Sequence, residues 1–417
     1  MSIYVWNTEI KDIYVWASKA KEVYVWTTKV RPTYRTFTIS WTEKSNMSSW
    51  WTYSDDAVWL TAGSTVFDDF FWYSAVLLWT DGQEKAEVTQ KSSWWAWKLN
   101  FSSLWTLTWT TNNVMVKFPV RWIKMSKSWS TVTLSITEDP NKSWYQYYAF
   151  TKWWVVKNNV YLWAFKSSLT NWTAVSASWT IAKSWATKSK SYGVSPMGMK
   201  TISVSDTYSS NNWTWYSQIA IMQRMYINAL YMMKYGNPNS QSVIWKWYTW
   251  GTSSIAPWNT VSDSTNATYW TSSTTSQIKL FWLEDWWWNV EEWVNWIYTD
   301  ANRTVYVAID NSSFYNSNIP SSKPSNYSSS GVALSSNILW EVSSIWWWNK
   351  SMFIPNAFVT NSNYDTYYCN NSRIDASRFA SSGSPWNGWT ASGAFRIMMS
   401  QTNSSSAYTT GSRLMYL

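Results

Sequence analysis

Histidine is absent from all 417 residues, and cysteine occurs once, at Cys369. The first absence removes Ser-His-Asp and Cys-His catalysis, histidine general bases and histidine metal sites. The second removes a disulfide framework and a cysteine zinc site. The opening residues Met1-Ser2-Ile3-Tyr4-Val5 show neither the charged start nor the apolar core of a signal peptide. The most apolar run, residues 219–235, carries Gln223, Arg224, Asn228 and Lys234. It is too short and too polar to span a bilayer. The net charge is +9, but Lys and Arg are scattered with no basic block. That describes a solvated surface better than a nucleic-acid groove. Glycine is also scarce, at 11 of 417 residues, where ordinary usage is about 7%. A chain rich in β turns needs glycine wherever the backbone takes positive φ.

What stands in its place is tryptophan, with 42 residues. Its placement follows turns, not a core or surface period. Trp6, Trp16 and Trp26 each follow Tyr-Val in a ten-residue near-repeat and precede Asn-Thr, Ala-Ser and Thr-Thr. A tight hairpin turn at that point calls for glycine. The expectation is that the gene uses UGA for glycine and that most tryptophans are glycine in the natural protein. Trp287, Trp293 and Trp386 are expected to be true tryptophans. The rival explanation is a tryptophan-rich binding surface.

In chain order, residues 1–32 read as a small β repeat for attachment or oligomerisation, closed by Pro32. Residues 33–98 read as a small β-rich domain, with a strand at Thr36-Phe37-Thr38-Ile39-Ser40 and a long apolar run over 67–78. Asp55, Asp56, Asp68 and Asp69 read as exposed loop charges. The main domain is expected over 99–417, with strands at 114–119, 131–136 and 160–165. One long helix is expected near 217–235: Ile219, Met222, Met225, Tyr226, Ala229, Leu230 and Met233 recur at helical spacing, and Gly236 and Pro238 stop it.

Residues 281–293 read Phe-Trp-Leu-Glu-Asp-Trp-Trp-Trp-Asn-Val-Glu-Glu-Trp. With Trp282 and Trp288 taken as glycine, Asp285, Asn289, Glu292 and Trp293 fall into a Gly-Leu-x-Asp-Met-x-Gly-Asn-Val-x-Glu-Trp pattern. This resembles the signature of the formylglycine-generating-enzyme type of C-type-lectin fold. That fold is used by phage receptor-binding proteins and by the variable proteins of diversity-generating retroelements. A second stretch, Asn239-Ser240-Gln241-Ser242-Val243-Ile244-Trp245-Lys246-Trp247, resembles the family's Asn-Ser-Gln-x-x-Ile-Gly-x-Gly turn. The tail holds Arg378, then Trp386-Asn387-Gly388, then Gly393-Ala394-Phe395, then Gly411-Ser412-Arg413-Leu414. It is similar to the family's C-terminal series, except that the Gly-Gly pair after the arginine is missing. The resemblance covers about residues 110–417.

The resemblance implies an α+β fold class, with a C-type-lectin-like C-terminal domain behind small all-β units. It implies a non-enzymatic binding protein of a phage tail or cell surface, with a variable region about 378–417. The candidate ligand-binding residues are Trp386, Asn387, Arg396, Met398, Ser400, Gln401, Asn403, Ser405 and Tyr408, adaptable residue types suited to a binding face. Trp282, Asp285, Trp288, Asn289, Glu292 and Trp293 form the structural motif. The expected partners are a host or cell-surface protein or glycan, and virion or surface assembly partners through the N-terminal repeats. A homotrimer is the candidate assembly; nucleic acid and a membrane span are not expected. No catalytic residue, metal or cofactor is expected: Ca²⁺ occurs with such folds, but no loop here has a recognisable ligand spacing. Two alternatives remain: a structural tail or baseplate protein without ligand, and a glycan hydrolase using a carboxylate pair such as Asp285 and Glu292.

The native chain is expected to weigh several kilodaltons less than the 48.9 kDa of the literal sequence. Intact-mass spectrometry of native material checks this, and a mass near 48.9 kDa refutes it.

Overall fold

A computed structural model describes residues 34–43, 51–78, 113–166, 216–244, 278–308, 323–333, 340–348, 351–359, 367–385, 393–402 and 410–417, with shorter segments between them. Strands dominate these residues, for a reason visible in the local sequence. In Thr36–Thr42, Phe37, Ile39 and Trp41 point one way and are buried. In the neighbouring Thr131–Thr137, Val132, Leu134 and Ile136 do the same. The alternate positions carry hydroxyls that pair across the two strands: Thr36 with Thr137 at 2.9 Å, Thr38 with Ser135 at 2.8 Å and Ser40 with Thr133 at 2.9 Å. A period of two thus supplies an apolar face for the core and a hydrogen-bonded ladder on the other.

Three larger sheets follow. A four-stranded antiparallel sheet runs Trp122–Ser128, Thr131–Thr137, Thr36–Thr42, Trp51–Asp55. A six-stranded sheet runs Tyr216–Gln218, Leu414–Tyr416, Asn159–Trp163, Asn113–Pro119, Ser74–Leu78, Glu84–Glu87, again antiparallel throughout. The third and largest sheet is centred on Glu291–Thr299, flanked by Thr304–Ala308 and Phe379–Ser382, with Ile397–Gln401 beyond. Its parallel pairings are Glu291–Glu292 with Thr410–Gly411, and Arg373–Ile374 with Met398–Met399.

The α+β expectation is overturned. Among the described residues the α-helices are Val66–Phe71, Ile221–Tyr235 and Ser240–Val243. One helix of 15 residues does not make a helical layer, so the chain is a mainly β protein with mostly antiparallel sheets. The boundary expected near residue 98 also separates nothing. Ser74–Leu78 pairs with Asn113–Pro119, and Thr36–Thr42 with Thr131–Thr137. One apolar cluster reaches from Phe37 to Leu417. At the N-terminus, Tyr14–Val15 pairs with Ser18–Lys19, and Val23–Val25 with Thr28–Val30, as separate hairpins. Trp6, Trp16 and Trp26 lie outside the described residues.

Helix Ile221–Tyr235 begins later than expected, because Tyr216–Gln218 is a strand. It ends where the sequence placed its stop: Gly236 has φ 63° and its N–H donates to Met232 O. The helix is buried almost all round, polar residues included. Each of these polar side chains makes at least one hydrogen bond inside. Gln223 Nε2 donates to Ala149 O at 2.6 Å, Asn228 Nδ2 to Ala394 O at 2.9 Å, and Lys234 Nζ to Asp68 Oδ1 at 2.5 Å. Buried polar groups are retained when they are paired in this way. Of the acids expected to be exposed loop charges, Asp55, Asp56 and Asp69 are exposed and Asp68 is half-buried, with Asp68 and Asp69 in helix Val66–Phe71; Asp55 accepts from Thr38 Oγ1, Asp56 from the Thr36 N–H, and Asp68 from Tyr73 and Lys234.

The apolar run over 67–78 divides into helix Val66–Phe71 and strand Ser74–Leu78. The break falls at Trp72, whose φ of 53° and ψ of 38° are left-handed. Hairpin Trp122–Ser128/Thr131–Thr137 turns through Trp129 and Ser130 alone, and Trp129 has φ 56° and is 97% exposed. An L-residue other than glycine is strained there by roughly 1–2 kcal/mol. Trp129→Gly is therefore expected to raise the thermal unfolding midpoint, and Trp129→Ala to leave it nearly unchanged. Calorimetry of the two variants against the parent checks this; equal midpoints for glycine and alanine would contradict it.

Candidate functional site

The residues of the 281–293 signature are contorted before they become strand. Leu280 pairs with Leu283, so Phe281 and Trp282 form a two-residue loop with φ of 51° and 66°. Asp285 and Asn289 also have positive φ, at 55° and 79°. Asp and Asn are the side chains that best tolerate this region after glycine. Asn289 Nδ2 donates to Asp285 Oδ2 at 2.9 Å, which ties the two bends together. Trp288, taken as glycine in the signature, is buried and is not among the positive-φ residues.

Strand Glu291–Thr299 then carries Glu292 into the interior, fully buried. Three cations surround its carboxylate. Arg413 Nε donates to Oε1 at 2.8 Å, Arg224 Nη1 to Oε2 at 2.8 Å, and Lys166 Nζ lies 3.1 Å from Oε1. The cations reach further. Arg413 bonds the carbonyls of Trp163, Ala164 and Glu284; Arg224 bonds that of Trp286; Lys166 bonds that of Val290. Trp286 lies under Arg224, with its ring centroid 3.9 Å from Cζ, and its indole N–H donates to Asn228 Oδ1 at 3.2 Å. Burial alone would raise the Glu292 carboxyl, but Arg413, Lys166 and Arg224 together hold it below its ordinary value. Burial pulls Lys166 down to about 8 and Arg224 down to about 10, against the opposing pull of Glu292.

Beside this cluster stands a second buried pair. Arg396 Nη1 donates to Glu291 Oε1 at 2.8 Å and to the Gly383 carbonyl, while Ser381 Oγ donates to Glu291 Oε2 at 2.9 Å. Arg396 was placed on the binding face by sequence; instead it is buried and ion-paired. An arginine inside an apolar segment is retained by a carboxylate partner, here supplied by a strand 105 residues away in sequence. The other described candidates are half-buried, and none is exposed. In Ile397–Gln401, Ile397 and Met399 are buried whereas Met398, Ser400 and Gln401 are half-buried, and Ser405 is half-buried beyond them. Trp386, Asn387, Asn403 and Tyr408 lie outside the described residues, as do Trp245 and Trp247.

Sequence reasoning assigned no role to Lys166 or Arg224, and quoted Arg413 only as part of a motif. The available signal was a charge inside an otherwise apolar stretch. Asp285 and Glu292, the pair considered for glycan cleavage, are both buried and bonded to other protein groups, so neither faces solvent. Among the described residues no cluster of three or more His, Cys, Asp or Glu is placed to hold a metal ion, and no helix is long and apolar enough to cross a membrane.

No family model and no curated protein matches the chain.

Glu292→Gln is expected to cost roughly 3–5 kcal/mol, because it leaves buried cations without their counter-charge. The carboxyl's folded pKa is depressed, so its stabilisation is complete above its ordinary value of 4.5 and is lost as pH falls through the lower folded value. Denaturant unfolding of parent and variant from pH 7 downward should therefore show the gap narrowing in acid. A gap independent of pH would contradict the assignment.

Proposed function

We propose that the chain is a non-enzymatic ligand-binding protein whose C-terminal part is of C-type-lectin-like type. Its particular role, on this proposal, is receptor binding on a phage tail or at a cell surface, towards a host or cell-surface protein or glycan. One observation carries the proposal: segments that resemble separate family motifs meet in space. Glu292 of the first motif is bonded to Arg413 of the last, and Glu291–Glu292 pairs in parallel with Thr410–Gly411. Ser240 of the Asn-Ser-Gln turn accepts the Ala394 N–H at 3.0 Å, next to Phe395. These contacts span 121 and 154 residues of sequence, so the motif resemblance acquires a physical partner at each end.

The same framework supports the placement of the ligand face. Ile397–Gln401 is anchored by its buried residues and by the Arg396–Glu291 pair next to it. Its half-buried positions, Met398, Ser400 and Gln401, are the ones whose change would disturb the core less than a change at Ile397 or Met399. A face built from outward strand residues on a rigid sheet is suited to binding variable partners. The N-terminal repeats are assigned to attachment or assembly.

Replacing Met398, Ser400 and Gln401 together with alanine is expected to weaken attachment to candidate host cells at least about tenfold, with little change in the unfolding midpoint. Cell-binding assays with the full-length chain, beside calorimetry, read both quantities. Undiminished attachment would move the binding role to the N-terminal repeats. Failure of the unsubstituted chain to bind any candidate cell would favour a purely structural tail protein.

A further inference from the structure

Tryptophan supplies seven of the 14 non-glycine residues with positive φ among the described residues. It is a bulky side chain, and such residues are genuine outliers in that region. The places where it does so are those in which glycine has a defined job. Trp72 is the left-handed cap of helix Val66–Phe71, and its N–H donates to Asp68 O. Gly236 does the same for helix Ile221–Tyr235, donating to Met232 O. Thr151–Lys152 pairs with Val155–Val156 around Trp153 and Trp154, whose φ values are 50° and 62°. Two positive φ values in a two-residue hairpin loop are the requirement of a type I′ turn, which Gly-Gly meets. Trp129 holds the first position of another two-residue loop, where a type II′ turn takes glycine. Trp144 has φ 68° and is 80% exposed.

The buried cases point the same way. Trp282 has φ 66° in the Phe281–Trp282 loop, and its buried indole N–H has no hydrogen-bond partner. Trp296 has φ 62° at the register shift of strand Glu291–Thr299, and bulges favour glycine. Trp286 differs in each respect. It has no positive φ, its N–H is bonded to Asn228, and its ring is stacked on Arg224. Trp293 is buried mid-strand opposite Ser381, again without positive φ.

We propose that the natural protein carries glycine at these seven positive-φ positions, through a genetic code in which UGA specifies glycine, and tryptophan at Trp286 and Trp293. The proposal stands apart from the ligand-binding role. It removes a false lead, because the exposed indoles of Trp129, Trp144 and Trp154 would otherwise resemble an aromatic docking face. The tryptophans are sorted by backbone geometry: those at left-handed positions are glycine, and hydrogen-bonded or strand-centre indoles are tryptophan.

Peptide sequencing by mass spectrometry, on protein from its natural source, tests this directly. Tryptic cleavage isolates residues 128–142, 143–152, 153–157 and 280–303. The first three should read glycine at the positions of Trp129, Trp144, Trp153 and Trp154. The fourth should read glycine at the positions of Trp282 and Trp296 and tryptophan at Trp286 and Trp293. The gene should carry UGA at the seven positions and UGG at the two retained ones. Tryptophan in the first three peptides overturns the proposal, whichever codon is present. So does UGG at the seven positions.

Discussion

The Glu292 carboxylate, buried and held by Arg413, Arg224 and Lys166, is where the separate parts of this chain are joined. Each cation comes from a different element. Lys166 follows the Asn159–Trp163 strand of the six-stranded sheet, Arg224 stands on the long helix, and Arg413 precedes the C-terminal strand Leu414–Tyr416. Removing any of these charges from water is costly, and the attraction among them offsets that cost only in good geometry. The cluster therefore tolerates few alternative packings. Its carbonyl partners at Trp163, Ala164, Glu284, Trp286 and Val290 extend the constraint into the backbone around it.

The long helix is the second consequence of this arrangement. Enclosed by strands and loops, it has no solvent face on which to place Gln223, Arg224, Asn228 and Lys234. A helix of this kind needs a partner for every polar side chain, and it obtains them from four different segments: Ala149, Glu292, Ala394 and Asp68. Those bonds set the rotation of the helix as well as its position. The Arg396–Glu291 pair works similarly at the edge of the Ile397–Gln401 strand. It fixes one end of that strand.

Much of this was legible in the chain itself. The strand-forming stretches at 36–40 and 131–136 mark strands that the structure extends to 42 and 137, because a period of two is set by backbone geometry alone. Gly236 marks the helix end for an equally local reason. The expected α+β class failed because helical periodicity identifies a helix but not how many strands surround it. The boundary near residue 98 failed because strand pairing between 74–78 and 113–117 is a long-range event with no local mark. Arg396 was misplaced for the same reason: its partner Glu291 is distant in sequence, and its apolar neighbours Phe395 and Ile397 do not show which carboxylate receives it.

By itself the sequence determined the strand-forming stretches, the one long helix, and the exclusion of histidine and disulfide chemistry. These depend on side-chain type and on spacing of a few residues. Only the tertiary structure decided which charges are buried together, which half-buried residues share the Ile397–Gln401 strand, and which indoles sit in left-handed backbone and which are bonded in the core. Those outcomes rest on contacts between segments 58 to 250 residues apart and on φ angles, and neither is written in the order of the side chains.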